Sequence, residues 1–218
     1  MLPGIEQLSA ILFDVDGTLI DSNDAHADGW AQALTEHGIP RDAGQVRPLI
    51  GMGSDKLLPA IAGLEEASPR GRAVAGRKKE LFTTRLPHLR PTRGARALVS
   101  YLRDQGKKIV IATSASDDEM DAILQQAGVA DLIPRRTSSD DADRSKPDPD
   151  IVVAALQQAG APSDGTVMIG DTPYDLEAAR RAGIAAIALR CGGCWSDADL
   201  GAAIAIFDDP DAVLAHWR

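Results

Sequence analysis

The feature that most constrains the fold is the alternation of short apolar runs with segments of helical periodicity. Apolar runs bounded by small, polar or acidic residues are typical of strands buried on both faces of a parallel sheet. Five runs are predicted as strands: Ala10–Asp14, Lys108–Thr113, Thr166–Asp171, Ala185–Arg190 and Ala203–Phe207. Five helices are predicted to accompany them: Gly94–Gln105, Asp117–Ala127, Asp150–Ala159, Tyr174–Ala182 and Pro210–Trp217. This alternation predicts an α/β fold in which a parallel sheet carries helices on both faces.

One stretch of the chain interrupts this alternation. Between Asp21 and about Leu89 the sequence contains no strand-like run. Three helical patterns fill the stretch: Ala25–His37, Lys56–Ala62 and Glu66–Leu86. We therefore expect an α/β core of residues 1–20 and 89–218, with a small all-helical cap domain of residues 21–88 inserted after the first strand. A helical lid of this kind closes over a site and excludes water.

Composition and charge narrow the possible partners. The 218 residues are 44% hydrophobic and carry a formal net charge of -9, which disfavours nucleic acid or an anionic membrane as the main partner. No apolar run approaches the length of a membrane span, and the first residues lack the basic region of a signal peptide. We expect a cytoplasmic protein that binds a small molecule. The sequence leaves open whether it is a monomer or a dimer.

The two cysteines form one CxxC pair, Cys191 and Cys194, in a glycine-rich loop near the end of the chain. A tetrahedral zinc site would require further ligands nearby, and none of the four histidines is close in sequence. We therefore interpret them as two reduced thiols in a loop.

The first predicted strand ends in two carboxylates one residue apart, Asp14 and Asp16, followed by the turn residues Gly17 and Thr18. Open α/β sheets place their chemistry at the carboxyl ends of strands. Neighbouring carboxylates repel unless a cation neutralises them, and Mg²⁺ binds carboxylates and phosphate oxygens together. This pattern predicts Asp14 as a nucleophile toward phosphorus and Asp16 as the general acid and base. The alternatives are a surface pair or the DxD of a metal-dependent glycosyltransferase.

Thr113, Ser114 and Lys146 are the candidates for binding a phosphoryl group. A hydroxyl and a free amide after the second strand can bind a phosphoryl oxygen, although a simple helix N-cap is the alternative for this pair. Lys146 lies in a loop stiffened by Pro147 and Pro149. Its ammonium group can offset charge on the phosphoryl oxygens, while a solvated lysine before a helix is equally compatible with the local sequence.

A second pair of carboxylates, Asp171 and Asp175, follows the third predicted strand. Adjacent parallel strands bring their ends together, so Asp171 can complete a Mg²⁺ site with the first pair. Asp175 can ligate through water, orient Lys146 or face a helix N-terminus. Nucleophile, oxygen donors, cation and metal ligands are the components of a phosphoryl transfer site. The predicted metal ligands are Asp14, Asp16, Asp171 and Asp175.

These motifs resemble those of the haloacid dehalogenase superfamily, in particular its phosphatases with a small helical cap. The resemblance covers nearly the whole chain. Asp14-Val15-Asp16-Gly17-Thr18 resembles the first motif, Thr113 the second, Lys146 the third, and Gly170-Asp171 through Asp175 the fourth. It implies a Rossmann-like core, with Thr113 and the Ser114 amide binding the phosphoryl group. It also implies Mg²⁺ held by Asp14, the Asp16 carbonyl and Asp171, with Asp175 in support.

The resemblance also separates subclasses. Asp16 favours a phosphate ester over a haloacid, because a halide leaving group needs no proton. Phosphoglycolate phosphatase and related phosphatases of small metabolites fit best, whereas Ile50–Asp55 lacks the cap arginine of β-phosphoglucomutases. We expect a Mg²⁺-dependent phosphatase that acts on a small phosphorylated metabolite through an aspartyl-phosphate. A sugar-phosphate mutase and a non-catalytic phosphoacceptor are the alternatives.

His26 and Trp30 share one face of the first predicted cap helix. For both residues we favour packing over contact with the substrate.

Overall fold

A parallel sheet forms the centre of the protein in the computed structural model, which describes residues 3–138 and 142–218. The strands are β1 (Ala10–Phe13), β2 (Lys108–Ala112), β3 (Arg135–Thr137), β4 (Thr166–Gly170), β5 (Ala185–Leu189) and β6 (Ala205–Phe207). Their order across the sheet is β3-β2-β1-β4-β5-β6, and each neighbouring pair is parallel. The predicted α/β fold class is thereby confirmed, with the strand that carries Asp14 in the interior of the sheet.

Nine α-helices lie within the described part of the chain. Four of them lie between β1 and Leu89: α1 (Asn23–Glu36), α2 (Ala43–Val46), α3 (Ser54–Ala62) and α4 (Pro69–Arg85). The other five are α5 (Ala95–Asp104), α6 (Asp117–Gln126), α7 (Asp150–Ala159), α8 (Pro173–Arg181) and α9 (Pro210–Trp217). None of the helices described is both long and apolar enough to cross a membrane.

Helices cover both faces of the sheet because successive side chains of a strand point to opposite sides. Ile11 and Phe13 of β1 belong to the apolar cluster that includes α5, α6 and α9. Ala10 and Leu12 belong to the cluster on the other face, which includes α7 and α8. All four residues of β1 are fully buried, as expected for a strand in the interior of a two-sided parallel sheet.

We call the segment of α1 to α4, residues 23–85, the helical insertion. Its four helices share an apolar cluster of their own. Trp30 and Leu34 of α1, Leu58 of α3, and Val74 and Leu81 of α4 are buried in it. α1 packs directly on α4. The insertion therefore has a separate set of buried apolar contacts, as expected for a unit placed beside the sheet.

The structure departs from the sequence expectations at short elements and at helix starts. β3 was not predicted, since three residues with two arginines carry no apolar run. The four-residue α2 was also not predicted. It begins with a capping box between Asp42 and Gln45. α4 begins at Pro69 rather than Glu66, because the Ser68 side chain accepts a hydrogen bond from the Gly71 amide and caps the helix there.

Candidate active site

The sheet register places three predicted site residues side by side. Phe13, the last residue of β1, is paired with Ile111 of β2 and with Ile169 of β4. Asp14 therefore leaves the sheet between the two strands that end before Thr113 and Asp171. The backbone amide of Asp14 still donates a hydrogen bond of 2.9 Å to Ile169, which fixes the position of the residue after the strand.

A buried lysine links two carboxylates at this edge of the sheet. Lys146 Nζ lies 2.6 Å from Asp14 Oδ1 and 2.8 Å from Asp175 Oδ1, and the side chain of Lys146 is only 1% exposed. Oxygen atoms of Asp14, Asp171 and Asp175 all lie within 4.8 Å of one another. Three carboxylates thus surround one point in a buried site where Lys146 supplies one positive charge.

Burial and mutual repulsion act on the proton affinity of these carboxylates. Burial raises the pKa of Asp14 to about 7, and the charge of Asp175 adds to this effect while Lys146 opposes it. Burial also raises the pKa of Asp171 well above its usual range, with further contributions from Asp14 and Asp175. Burial alone would lower the pKa of Lys146, but the charges of Asp14 and Asp175 outweigh it and raise that pKa. The site therefore holds more negative charge than Lys146 neutralises.

The donor set fits a divalent cation of the Mg²⁺ class. Such an ion takes carboxylate oxygens and substrate phosphate oxygens as ligands, and Asp14, Asp171 and Asp175 bring three buried carboxylates within reach of one ion. The raised pKa values of Asp14 and Asp171 measure how unfavourable this cluster is without further positive charge. The Asp16 side chain lies outside this carboxylate cluster, and its backbone carbonyl, the atom that the resemblance assigns to the metal, stays a prediction.

Asp16 is held instead by two residues at the start of α1. Ser22 Oγ donates a hydrogen bond of 2.5 Å to Asp16 Oδ1, and His26 Nε2 lies 2.9 Å from the same oxygen. The His26 ring stacks on Phe82 of α4 at a centroid distance of 3.8 Å. His26 thus packs against α4, whereas the expected packing partner was the second predicted cap helix, and it also contacts the candidate acid and base. Burial alone would raise the pKa of Asp16, but His26 and Ser22 outweigh it and lower that pKa to about 2.

Asp171 is fixed by contacts that the sequence did not predict. Asn23 Nδ2 donates to Asp171 Oδ2 at 2.8 Å, and Thr18 Oγ1 donates to Asp171 Oδ1 at 3.3 Å. A Cβ atom on Gly192 would stand 1.8 Å from Asp171 Oδ2, and one on Gly17 would stand 2.3 Å from it. Glycine is therefore required at both positions. A side-chain amide five residues after Thr18 was the available signal for Asn23.

Asp175 is oriented by the first turn of α8. Its Oδ2 accepts hydrogen bonds from the backbone amide and the hydroxyl of Thr172, at 3.1 Å and 2.8 Å. Thr172 in turn caps the helix, so the two residues form a capping box. This arrangement leaves Oδ1 directed at Lys146. The helix-terminal contact and the contact with Lys146, which the sequence leaves compatible, are both present.

Thr113 and Ser114 face a cavity together with the two catalytic candidates of the first motif. This inner cavity, of about 90 Å³, is lined among others by Asp14, Asp16, His26, Thr113 and Ser114. Ser114 Oγ is buried and has no hydrogen-bond partner among the described residues. An unpaired buried hydroxyl is costly, and a bound oxyanion would pair it. The cavity therefore brings the candidate nucleophile, the candidate acid and the candidate oxygen-binding groups to one space.

The helical insertion contacts the core around this cavity. Lys56 Nζ lies 2.5 Å from Asp148 Oδ2, and the Gly53 amide donates to Ser145 Oγ at 3.1 Å. Ser145 also donates a hydrogen bond to Asp55. These contacts fix the first turn of α3 against the loop that carries Lys146.

The two cysteines are free, and Cys191 lies beside this site. Cys191 Sγ lies 3.1 Å from the Gly17 carbonyl oxygen and donates to it. Burial, with the charge of Asp171, raises the pKa of the Cys191 thiol to about 12. A thiol with this pKa is protonated at neutral pH, which agrees with the interpretation as reduced thiols.

Comparison with known proteins identifies the family. The model of the haloacid dehalogenase-like hydrolase family matches residues 8–183. A phosphoglycolate phosphatase from Rhodospirillum rubrum is 29% identical over 220 residues, covering 95% of this chain and 90% of that protein. An N-acetylmuramic acid 6-phosphate phosphatase from Pseudomonas aeruginosa is 29% identical over 216 residues, covering 97% of this chain and 88% of that protein. The crystal structure of a hydrolase from Pseudomonas syringae superposes with a TM-score of 0.89 at 28% identity, covering 95% of this chain and 97% of that one.

The chain belongs to the haloacid dehalogenase-like hydrolase family. It is an enzyme of that superfamily, and the two relatives described above are both phosphatases by name. The resemblance of the four motifs is thereby confirmed at the level of the family.

Proposed function

We propose that this protein is a Mg²⁺-dependent phosphatase that hydrolyses a small phosphorylated metabolite through an aspartyl-phosphate on Asp14. One observation carries the proposal: a buried lysine bridges Asp14 and Asp175 inside a three-carboxylate cluster that can bind a metal. A structural ion pair would need one carboxylate per lysine, whereas a phosphoryl site needs an excess of carboxylates for the metal. The phosphatase relatives support the same reaction class.

In the first half of the reaction, the Asp14 carboxylate attacks phosphorus while the bond between phosphorus and the ester oxygen breaks. Thr113 and Ser114 bind the phosphoryl oxygens, and Lys146 holds Asp14 and offsets the charge that builds on these oxygens. The departing alcohol takes a proton from Asp16. When bound at the carboxylate cluster, Mg²⁺ would stabilise negative charge on the phosphoryl group.

In the second half, Asp16 accepts a proton from water, and the resulting hydroxide attacks phosphorus. Inorganic phosphate leaves and Asp14 is regenerated. Asp16 must therefore be protonated in one step and ionised in the next. The contact with His26 Nε2 favours the ionised form, so it serves the water-activating half.

We also propose that residues 21–88 act as a cap on a core of residues 1–20 and 89–218. The contacts of Gly53, Asp55 and Lys56 with the loop of Lys146 support a closed form over the inner cavity. In that form the phospho-enzyme is shielded from bulk water. A cytoplasmic location and a monomeric or dimeric state stay predictions.

The decisive experiment compares Asp14→Asn with wild-type enzyme on 4-nitrophenyl phosphate in 5 to 10 mM MgCl₂. We expect a loss of turnover of at least about 10³-fold, an unchanged circular dichroism spectrum and retained Mg²⁺ binding through the remaining oxygens. The matched control is Asp164→Asn, which changes an exposed aspartate away from the site and should keep wild-type turnover.

Acid quench during turnover of a ³²P-labelled ester tests the intermediate. Protein-bound label that hydroxylamine removes is expected in wild type and absent in Asp14→Asn. Stable label without phosphate release would instead support a phosphoacceptor, and conversion of one phosphosugar to its isomer would support a mutase. Measurable turnover by purified Asp14→Asn would contradict the proposal.

A further inference from the structure

The inner cavity continues into a larger outer cavity between the insertion and the core. The outer cavity has a volume of about 470 Å³, roughly five times that of the inner one. The two cavities share lining residues, among them Trp30, Lys78, Thr113, Ser114 and Glu119. Since the inner cavity contains the nucleophile and the acid, the outer cavity is where the alcohol portion of a phosphate ester lies. This assignment rests on the proposed phosphatase function.

The outer cavity is negatively charged. Its described lining includes four carboxylates and two ammonium groups, a formal charge of −2, from Asp55, Glu66, Glu119, Asp143, Lys78 and Lys79. Asp55 and Glu66 each accept a hydrogen bond from a serine hydroxyl, which satisfies an oxygen atom but leaves the negative charge. A second carboxylate brought into this cavity would meet net repulsion.

The buried cation of the outer cavity is already paired. Lys78 Nζ lies 2.9 Å from Glu119 Oε1, and both side chains are at most 15% exposed. The same ammonium group lies 4.9 Å from the centre of the Phe82 ring and 5.8 Å from that of Trp30. A substrate carboxylate could take Lys78 only by displacing Glu119, which would leave a buried carboxylate without its partner. Lys79, the other ammonium group, is exposed at the rim.

From this geometry we infer that the enzyme selects phosphate esters whose alcohol carries no carboxylate. The ligand class is the phosphomonoester of a neutral or amine-bearing alcohol, with hydroxyl groups that match the serines of the outer cavity. The two curated relatives described above act by name on the phosphate esters of acids. The negative charge of the outer cavity disfavours substrates of that type in the present protein.

A charge series at constant size tests the inference. Glucosamine 6-phosphate and glucose 6-phosphate form a cyclic pair, and 6-phosphogluconate and sorbitol 6-phosphate form an open-chain pair. Within each pair the charge differs far from the ester oxygen, so the intrinsic reactivity is matched. We expect kcat/KM for 6-phosphogluconate to be about tenfold or more below that for sorbitol 6-phosphate, and kcat/KM for glucosamine 6-phosphate to equal or exceed that for glucose 6-phosphate. Ethanolamine phosphate, 2-hydroxyethyl phosphate and 2-phosphoglycolate provide the same comparison for a shorter alcohol.

Each compound is also measured as a competitive inhibitor of 4-nitrophenyl phosphate hydrolysis, so that an ester that binds without turnover still yields a constant. Raising ionic strength should narrow the discrimination, because partly exposed charges are screened by salt. Glu66→Gln keeps an acceptor oxygen for Ser54 and should reduce the discrimination by about threefold. The control is Glu80→Gln, since Glu80 is 70% exposed and paired with Arg77 outside the cavity.

The outcomes separate this inference from the proposed function. Equal or higher kcat/KM and affinity for the carboxylate members, in both series, would overturn the inference and leave the phosphatase proposal intact. An unchanged ratio in Glu66→Gln would overturn the assignment of the outer cavity as its cause. Failure to hydrolyse any ester, 4-nitrophenyl phosphate included, would overturn the proposed function and the inference with it.

Discussion

Replacing Lys146 by methionine should destabilise the metal-free protein far more than the loss of an ordinary ion pair. Lys146 Nζ contacts Asp14 at 2.6 Å and Asp175 at 2.8 Å, and it is essentially inaccessible to solvent. Methionine fills most of the space but leaves buried carboxylates without a positive partner. Removing one member of a buried charged group costs about 3–5 kcal/mol. For a chain of this length that loss lowers Tm by roughly 6–20 °C.

The matched control is Lys56→Met. Lys56 makes an ion pair of similar length, 2.5 Å, with Asp148, but its side chain is 33% exposed. Partly exposed pairs contribute about 0–1 kcal/mol, so the two variants separate burial from distance. Urea unfolding at pH 7.5 with EDTA, followed by circular dichroism, gives the free energy of unfolding for wild type and both variants.

The pH dependence of the Lys146→Met deficit provides an internal check. When the pKa of a carboxylate is higher in the folded protein than in the unfolded chain, the protein becomes less stable as pH rises from the unfolded pKa to the folded pKa. Without Lys146, the pKa values of Asp14 and Asp171 should rise further. The deficit should therefore shrink at pH 5, where these groups are protonated in the folded state. Equal losses in the two variants, or a deficit that is the same at pH 5 and pH 7.5, would refute the electrostatic reasoning.

Three further outcomes are expected. Metal-free wild type should lose stability between about pH 4 and pH 7, where burial holds the folded pKa of Asp14 at about 7; 10 mM MgCl₂ should flatten this slope in thermal melts, and a slope unchanged by metal would count against the site. His26→Ala should raise the pKa of Asp16 from about 2 and lower kcat by about tenfold; the acid limb of the kcat–pH profile reports it, and an unshifted limb would contradict the role. Asn23→Ala should weaken Mg²⁺ binding by about tenfold in calorimetric titration, because the 2.8 Å bond that orients Asp171 is lost; unchanged affinity would exclude that role.

The sheet and the ends of its strands were predictable because both depend on local patterns. Apolar runs locate β1, β2 and β4, and parallel packing then requires their carboxyl ends to meet. Asp14, Thr113 and Asp171 follow those ends directly. The convergence of distant residues was therefore a consequence of topology. Lys146 was a weaker prediction, because its loop has no strand end to place it.

The orientation of individual side chains was not predictable, because it depends on contacts between elements. The sequence places Asp16 two residues from Asp14, yet its side chain turns to Ser22 and His26 rather than to the carboxylate cluster. This orientation of the Asp16 side chain requires α1 to begin at Asn23, so that Ser22 and His26 lie next to Asp16. Similarly, Asn23 reaches Asp171 across 148 positions of sequence, and no periodicity encodes such a contact.

If residues 21–88 act as the proposed cap, the contacts between the insertion and the Lys146 loop couple closure of the cavity to the position of Asp14, the proposed nucleophile. Ser145 and Asp148, which bracket Lys146, contact Gly53 and Lys56 of the insertion. The backbone on both sides of Lys146 is therefore held by the insertion, while its ammonium group holds Asp14. If the insertion moved away, Ser145 and Asp148 would lose these contacts, and of the two only Asp148 would keep an ion pair to the core, with Arg181. Because a displacement of about 1 Å at a reacting group can cost about 10² in rate, an open form would bind ester without attacking it efficiently. Attack would then follow closure, when the phosphoryl group is already shielded from water.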